Sequence, residues 1–95
     1  MKPDELVFSV HAIRRMAERD ISVPDVRVVL ESGEIIESYP DDQPHPSMLV
    51  LGRVNRRPLH VVAAGDSEGG LTYIVTVYEP DEAQWDSMFR RRVKR

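Results

Sequence analysis

The spacing of hydrophobic residues changes along the chain near Gly33. Before this point apolar residues recur every three or four positions, which indicates helices that bury one side. Ser9 is placed to cap the first helix, and Phe8 and Ile13 are spaced for a hydrophobic staple around that cap. Ser22 repeats the arrangement before the second apolar run. We therefore expect two short helices joined by a tight turn, an αα-hairpin.

After Gly33 the pattern becomes that of strands. Alternating or β-branched segments are separated by short, turn-rich connections, which is typical of hairpins. Four strands connected in this way predict an antiparallel meander. The last strand is almost entirely apolar or β-branched, so we expect it at the centre of the sheet with both faces covered. The predicted strands span residues 34–39, 47–54, 58–64 and 71–79.

A third helix is predicted after Pro80. Asp81 is placed as its N-cap, and Trp85, Met88 and Phe89 follow at the spacing of one helix face. The whole chain then forms a single domain over residues 1–95, of the α+β class. Its expected order is two N-terminal helices, a four-stranded antiparallel sheet and a C-terminal helix.

The composition narrows the range of chemistries. The chain has no cysteine, which excludes disulfides and thiolate metal sites. Its histidines, at 11, 45 and 60, lack the spacing of a zinc motif, so we expect neither a metal nor another cofactor. We find no apolar run of the length that a signal peptide or a membrane span needs, and we expect a cytoplasmic protein without membrane contact.

Positive charge is concentrated at one end of an acidic chain. The net charge is −3, from 13 Lys and Arg against 16 Asp and Glu. Five of the basic residues lie in the C-terminal tail 90–95, and the other eight share residues 1–89 with every acid. A local surface that binds anions is compatible with this distribution, although most basic tails are simply solvated.

The outward side of the first helix is the first candidate site. His11, Arg15 and Arg19 stand in one row, four residues apart, and arginine forks beside a histidine suit phosphate. Glu18 can orient one of these groups or form an ion pair with Arg14. The alternative is an ordinary solvated face, in which Arg14 and Glu18 need no further explanation.

Two further candidates lie in the strand region. Arg56 and Arg57 occupy a hairpin turn, and His60 follows on a strand between apolar neighbours, an expensive way to fill a core. Tyr78 ends the last strand, where its phenol can meet a ligand. The alternatives are an exposed hairpin tip, a hydrogen-bonded histidine and a tyrosine that only packs. His45, between two prolines, has no supported role.

Several segments together resemble the bacterial proteins grouped as domain of unknown function 4258. The resemblance extends from Phe8 to Arg92. It implies a small RelE/BrnT-like fold and an association with toxin–antitoxin pairs, often with a YgiT-like zinc-finger antitoxin. The members of that wider superfamily that have an activity cleave mRNA without a metal, and they use clustered basic residues, histidines and tyrosines. The segments that carry the resemblance are "FSVHAIRRMAERDIS", "VVLESGEIIESYPDD", "PSMLVLGRV", "RPLHVVAA", "IVTVYEPD" and "WDSMFRRR".

These observations, together with the resemblance, predict a toxin-like endoribonuclease that cleaves RNA without a metal, either free or on the ribosome. The ribose 2′-hydroxyl attacks the neighbouring phosphate, so the enzyme needs a base, an acid and positive charge on the phosphoryl oxygens. We expect the helix face and the third strand to share one pocket, covered by an antitoxin encoded by the adjacent gene. The alternative is a non-catalytic binding module whose arginine-rich face recognises an acidic protein or an anion. The expected catalytic residues are His11, His60, Tyr78 and Glu18, and the expected phosphate-binding residues are Arg15, Arg19 and Arg57.

Overall fold

The two predicted helices are present in the computed structural model, which describes residues 5–66 and 70–93. Helix α1 spans Val10–Arg19, and helix α2 spans Val23–Ser32. The Ser9 hydroxyl accepts a hydrogen bond from the Ala12 amide at 2.9 Å, which confirms the predicted cap. Ser22 and Asp25 form a reciprocal capping box at the start of α2. Burial does not support the staple at the first cap, because Ile13 is 55% exposed, whereas Ile21 and Val26 around the second cap are both buried in the core.

Five strands form one sheet. Strand β1 is Glu5–Phe8, β2 is Glu34–Tyr39, β3 is Ser47–Val54, β4 is Arg57–Asp66 and β5 is Leu71–Tyr78. Their order across the sheet is β1-β5-β4-β3-β2. Strands β2 to β5 form the predicted antiparallel meander, within one or two residues of the predicted bounds.

Both helices pack on one face of the sheet. Leu59, Val61 and Ala63 alternate along β4 and are fully buried against them. At Gly52 a Cβ atom would lie 2.9 Å from the Val29 Cα, so the glycine allows α2 to approach β3 closely. Among the described residues, no helix is long and apolar enough to cross a membrane.

The prediction of a purely antiparallel four-stranded sheet is wrong at β1. This strand pairs in parallel with β5, in the register Leu6↔Thr72 and Phe8↔Ile74. Ser9 fixes the junction with α1, since its amide and its hydroxyl donate to the carbonyls of Ile74 and Val75. Because β1 occupies the edge, β5 does lie inside the sheet, as its apolar sequence indicates, but its two faces are not both covered, since Val75 is 43% exposed.

The prediction of a C-terminal helix is also wrong. Residues 80–93 form consecutive turns, and Trp85 and Arg92 face each other in an isolated antiparallel bridge. Asp86 is one cause, because its carboxylate accepts hydrogen bonds from the amides of Met88 and Arg90. Such local bonds compete with helical ones, and an isolated helix of this length is marginal in water. Residues 94–95 of the predicted basic tail and residues 67–69 of the β4–β5 turn lie outside the described part of the chain.

Candidate functional site

The sheet face turned away from the helices, here called the outer face, carries a group of polar and aromatic side chains. The cross-strand register places Leu51, His60 and Tyr78 side by side on this face, with Glu37 beside Leu49 in the next row. The C-terminal turns fold over this end of the sheet and bring Arg92 to Glu37. We call the resulting group the outer-face cluster: Glu37, Tyr39, His60, Tyr78 and Arg92.

Glu37 lies at the centre of the polar contacts in this cluster. The Tyr39 hydroxyl donates to Glu37 Oε1, and the Arg92 guanidinium donates from Nε to Oε2 at 3.2 Å and from Nη2 to Oε1 at 3.4 Å. Partial burial raises the pKa of the Glu37 carboxyl, but the hydrogen bonds and the charge of Arg92 outweigh it and hold this pKa below 4.5. Glu37 is therefore an ionised carboxylate at neutral pH.

His60 is fully buried beneath the C-terminal turns. Its Nε2 lies 2.8 Å from the carbonyl oxygen of Phe89, and its Nδ1 lies 3.2 Å from the Tyr78 hydroxyl. A carbonyl oxygen only accepts hydrogen bonds, so Nε2 carries the proton. Burial lowers the pKa of the imidazole below 6.5, partly offset by the Phe89 carbonyl. His60 is thus neutral at pH 7, and its Nδ1 accepts from Tyr78.

Aromatic contacts from the C-terminal turns cover part of the cluster. The Trp85 ring is buried, with its centroid 4.4 Å from that of His60 in an edge-on arrangement. The Arg92 guanidinium lies 4.7 Å from the Trp85 centroid. Burial raises the pKa of the Tyr78 phenol, which stays protonated at neutral pH. The exposed part of the cluster is consequently the Arg92 guanidinium, with part of Glu37 and of the two phenols.

The structure brings together His60 and Tyr78 but separates both from His11. Leu59 and Val61, on either side of His60, pack with Ala12 of α1 in the core, so His60 points to the opposite face of the sheet. His11 is exposed on α1. The predicted shared pocket is therefore not formed, and the two histidines cannot act together on one phosphate.

The remaining predicted residues of α1 lie on its exposed surface. Glu18 forms an ion pair with Arg15 at 3.8 Å, with side chains 44% and 60% exposed for Arg15 and Glu18. The predicted partner was Arg14, so the pair is made at i,i+3 instead of i,i+4. Arg19 is also exposed. Exposed pairs of this kind contribute little to stability, and the role of this face in RNA binding stays a prediction.

Arg57 contacts other parts of the fold. Its Nη1 donates to the Asp20 carbonyl at 2.9 Å and its Nη2 to the Arg19 carbonyl, at the C-terminal end of α1. Its Nε donates to Glu79 at 2.6 Å. A guanidinium beside the last carbonyls of a helix is favoured by the helix dipole. These contacts account for Arg57 as a link between α1 and the end of β5.

Glu37, Tyr39 and Arg92 are absent from the residues predicted from sequence. One signal was available: the segment Glu34–Tyr39 is a strand, and residues two apart on a strand share a face, which places Glu37 beside Tyr39. Arg92 has no comparable signal, since 55 residues separate it from Glu37. Within the described part of the chain, no three His, Asp or Glu side chains are grouped to hold a metal ion.

Comparison with known protein families identifies a matching family. A family model described as domain of unknown function (DUF4258) matches residues 8–79, which is most of the chain and includes every element from α1 to β5. Neither the curated proteins nor the solved structures contain a match.

Proposed function

We propose that this chain, which belongs to the family described as domain of unknown function 4258, is a cytoplasmic, metal-independent endoribonuclease of a toxin–antitoxin pair. The observation that supports the proposal is the Glu37–Arg92 contact on the outer face. An ionised carboxylate and an exposed guanidinium, next to two phenols, supply the groups that 2′-hydroxyl attack requires.

The proposed reaction is an internal transesterification of RNA. Glu37 removes the proton of a ribose 2′-hydroxyl, and the oxygen forms a bond to the adjacent phosphorus. The bond from phosphorus to the 5′-oxygen of the next nucleotide breaks, which leaves a 2′,3′-cyclic phosphate. The Tyr78 phenol stays protonated at neutral pH, and in this step its hydroxyl turns from His60 Nδ1 to the leaving oxygen and gives it the proton. Water then returns a proton to Tyr78, and Glu37 releases its proton to solvent.

Arg92 is suited to bind the phosphoryl oxygens. Its side chain is 62% exposed, and a guanidinium presents five N–H groups, of which Nε and Nη2 contact Glu37. Charge that develops on the phosphoryl oxygens is then stabilised by a cation already held in place. His60 acts as a positioning residue in this scheme, because it accepts from the Tyr78 hydroxyl and anchors the backbone that carries Arg92.

Cleavage by purified protein in the presence of EDTA tests the proposal. We expect a 2′,3′-cyclic phosphate product, and we expect Glu37→Gln and Arg92→Gln each to lower the rate by about 100-fold or more, the usual contribution of a general base or of one charge-stabilising group.

A matched control is the second ion pair between the same two segments. Arg90 Nε contacts Glu34 Oε1 at 2.7 Å, outside the cluster. Glu34→Gln should leave the rate unchanged. Equal activity of the wild type and Glu37→Gln, with both folded, contradicts the proposed site.

A second candidate function is the binding of an acidic protein by α1. The observation that favours it is the exposed arginine row of α1, in which Arg15 and Arg19 stand one turn apart and both are exposed. Arginine is enriched in protein interfaces relative to the rest of the protein surface. The adjacent-gene antitoxin implied by the family resemblance, such as a YgiT-like zinc-finger protein, is the proposed partner for this surface.

A further inference from the structure

The outer face has a cavity at the end opposite the C-terminal turns. Its volume is about 450 Å³, within the usual range for small-ligand sites. Its apolar lining comes from Pro44, Ala64 and Val75, and its polar side chains include those of Asp42 and Ser47. An apolar cleft with few polar groups is suited to a flat ring that has a polar edge.

Two aromatic rings form one side of this cavity. The His45 and Tyr73 rings are parallel within 5°, with centroids 5.5 Å apart, which is an offset stack. Both residues are only half-buried, so the stack has surface left for another ring. Stacking on aromatic side chains is the common way in which proteins hold unpaired RNA bases.

The carboxylate of Asp42 is fixed at the cavity. The Ser47 hydroxyl donates to Asp42 Oδ2 at 2.5 Å, and the Asp42 amide donates to the Tyr39 carbonyl at 3.3 Å. A carboxylate offers about four acceptor positions and no donor, so Oδ1 and the remaining positions favour a ligand edge rich in N–H groups. Among the RNA bases, guanine presents two adjacent N–H donors on its Watson–Crick edge, whereas adenine and cytosine present one amino group and uracil one N–H.

Tyr39 connects the cavity to the outer-face cluster. In the sheet register it lies opposite Ser47 of the cavity, and its hydroxyl donates to Glu37 of the cluster. Residues two apart on a strand are about 6.6 Å apart. Glu37 therefore lies in the row next to the one that contains Tyr39 and Ser47. That spacing fits a nucleotide whose base occupies the cavity while its ribose and phosphate reach Glu37 and Arg92.

We propose that this cavity is a guanine subsite, which binds the base on the 5′ side of the cleaved phosphate. The inference rests on the proposed function for the position of the phosphate, and on the cavity alone for the identity of the base. Its test is binding of the four nucleoside 3′-monophosphates, measured by titration calorimetry with amide chemical shifts to locate the site.

Guanosine 3′-monophosphate should bind at least tenfold more tightly than the other three, with shifts at Ser47, Ala64 and Tyr73. Asp42→Asn keeps the shape and an acceptor for Ser47 but loses the charge, and it should weaken guanosine 3′-monophosphate about tenfold or more. Asp41→Asn, a change of the neighbouring exposed acid, is the matched control and should have no effect. Similar affinity for all four nucleotides, or no effect of Asp42→Asn in a folded protein, overturns the guanine subsite.

Cleavage patterns distinguish this inference from the proposed function. If both hold, the wild type cleaves after guanine, Asp42→Asn cleaves without that preference, and Glu37→Gln still binds guanosine 3′-monophosphate without cleaving. If the wild type cleaves RNA but Asp42→Asn does not change its base preference, the guanine subsite is wrong and the proposed nuclease function stands. If guanosine 3′-monophosphate binds at the cavity but the wild type cleaves no RNA, the guanine subsite stands and the proposed nuclease function is wrong.

Discussion

His60 illustrates how burial gives a single residue its role. A neutral imidazole has one donor and one acceptor, and here each is used, by the Phe89 carbonyl and the Tyr78 hydroxyl. Within the described residues no buried side-chain nitrogen or oxygen lacks a hydrogen bond, so the cost of placing this ring in the core is offset. Sequence alone indicated that His60 was unusual, but not that its partners would come from the C-terminal segment.

The lowered pKa of His60 predicts a loss of stability in mild acid. The unfolded chain takes up a proton on this residue near pH 6.5, whereas the folded chain does so only at a lower pH. The contribution is therefore complete above pH 6.5 and is lost as the pH falls through the folded pKa. Glu37 titrates in a separate window, because its contribution is complete above pH 4.5 and is lost only below it.

Melting temperatures between pH 7.5 and 5.5 measure this effect. The wild type should lose stability across the interval, and His60→Gln should lose less, since an amide supplies one donor and one acceptor but does not titrate. His11→Gln, which changes an exposed histidine, should keep the slope of the wild type. Parallel curves for the wild type and His60→Gln contradict a lowered pKa.

At the scale of elements, local patterns predicted those parts of the fold that depend on local interactions. The caps at Ser9 and Ser22 and the four meander strands involve neighbours in sequence, and the structure confirms them. β1 has only four residues and pairs with a strand some 66 positions away, so no periodicity reveals it. The C-terminal segment has helical spacing of apolar residues, but packing on His60 and the bonds of Asp86 determine its conformation.

The turn at Asp86 is expected to control how firmly the C-terminal segment covers the sheet. Asp86→Ala removes two hydrogen bonds to backbone amides, at 3.1 Å each, and should loosen the turn. Trp85 is the only tryptophan and is 3% exposed, so its fluorescence reports on this segment. The emission of Asp86→Ala should shift to longer wavelength, and acrylamide should quench it more strongly.

Ser87→Ala, one position further on at an exposed residue, is the control for that measurement and should retain the emission of the wild type. If Asp86→Ala shields Trp85 as well as the wild type does, packing on His60 and Arg92 holds the segment without the turn. The proposed dependence of the segment on Asp86 is then wrong.

At the scale of the whole molecule, the sheet separates two surfaces of different charge arrangement. On the outer face, the basic residues Arg90 and Arg92 are paired with Glu34 and Glu37 of β2. On the opposite side, α1 exposes its arginines, with one weak ion pair at Arg15. Net charge and charge order along the sequence predicted an anion-binding surface, but the assignment of each arginine to a face depends on the topology of the sheet.

This separation predicts that RNA cleavage and partner binding can be lost independently. Arg15→Ala combined with Arg19→Ala should weaken copurification with the product of the adjacent gene by tenfold or more, while cleavage of free RNA is retained. The reason is that charge complementarity, screened within about 10 Å at 0.1 M salt, acts on the α1 surface and not through the sheet.

Glu37→Gln should show the reverse, full binding without cleavage. Arg14→Ala, on the same helix, is the control and should leave both unchanged. If the double variant instead binds its partner normally and loses RNA cleavage, α1 contacts the RNA, and the assignment of this surface to a protein partner is wrong.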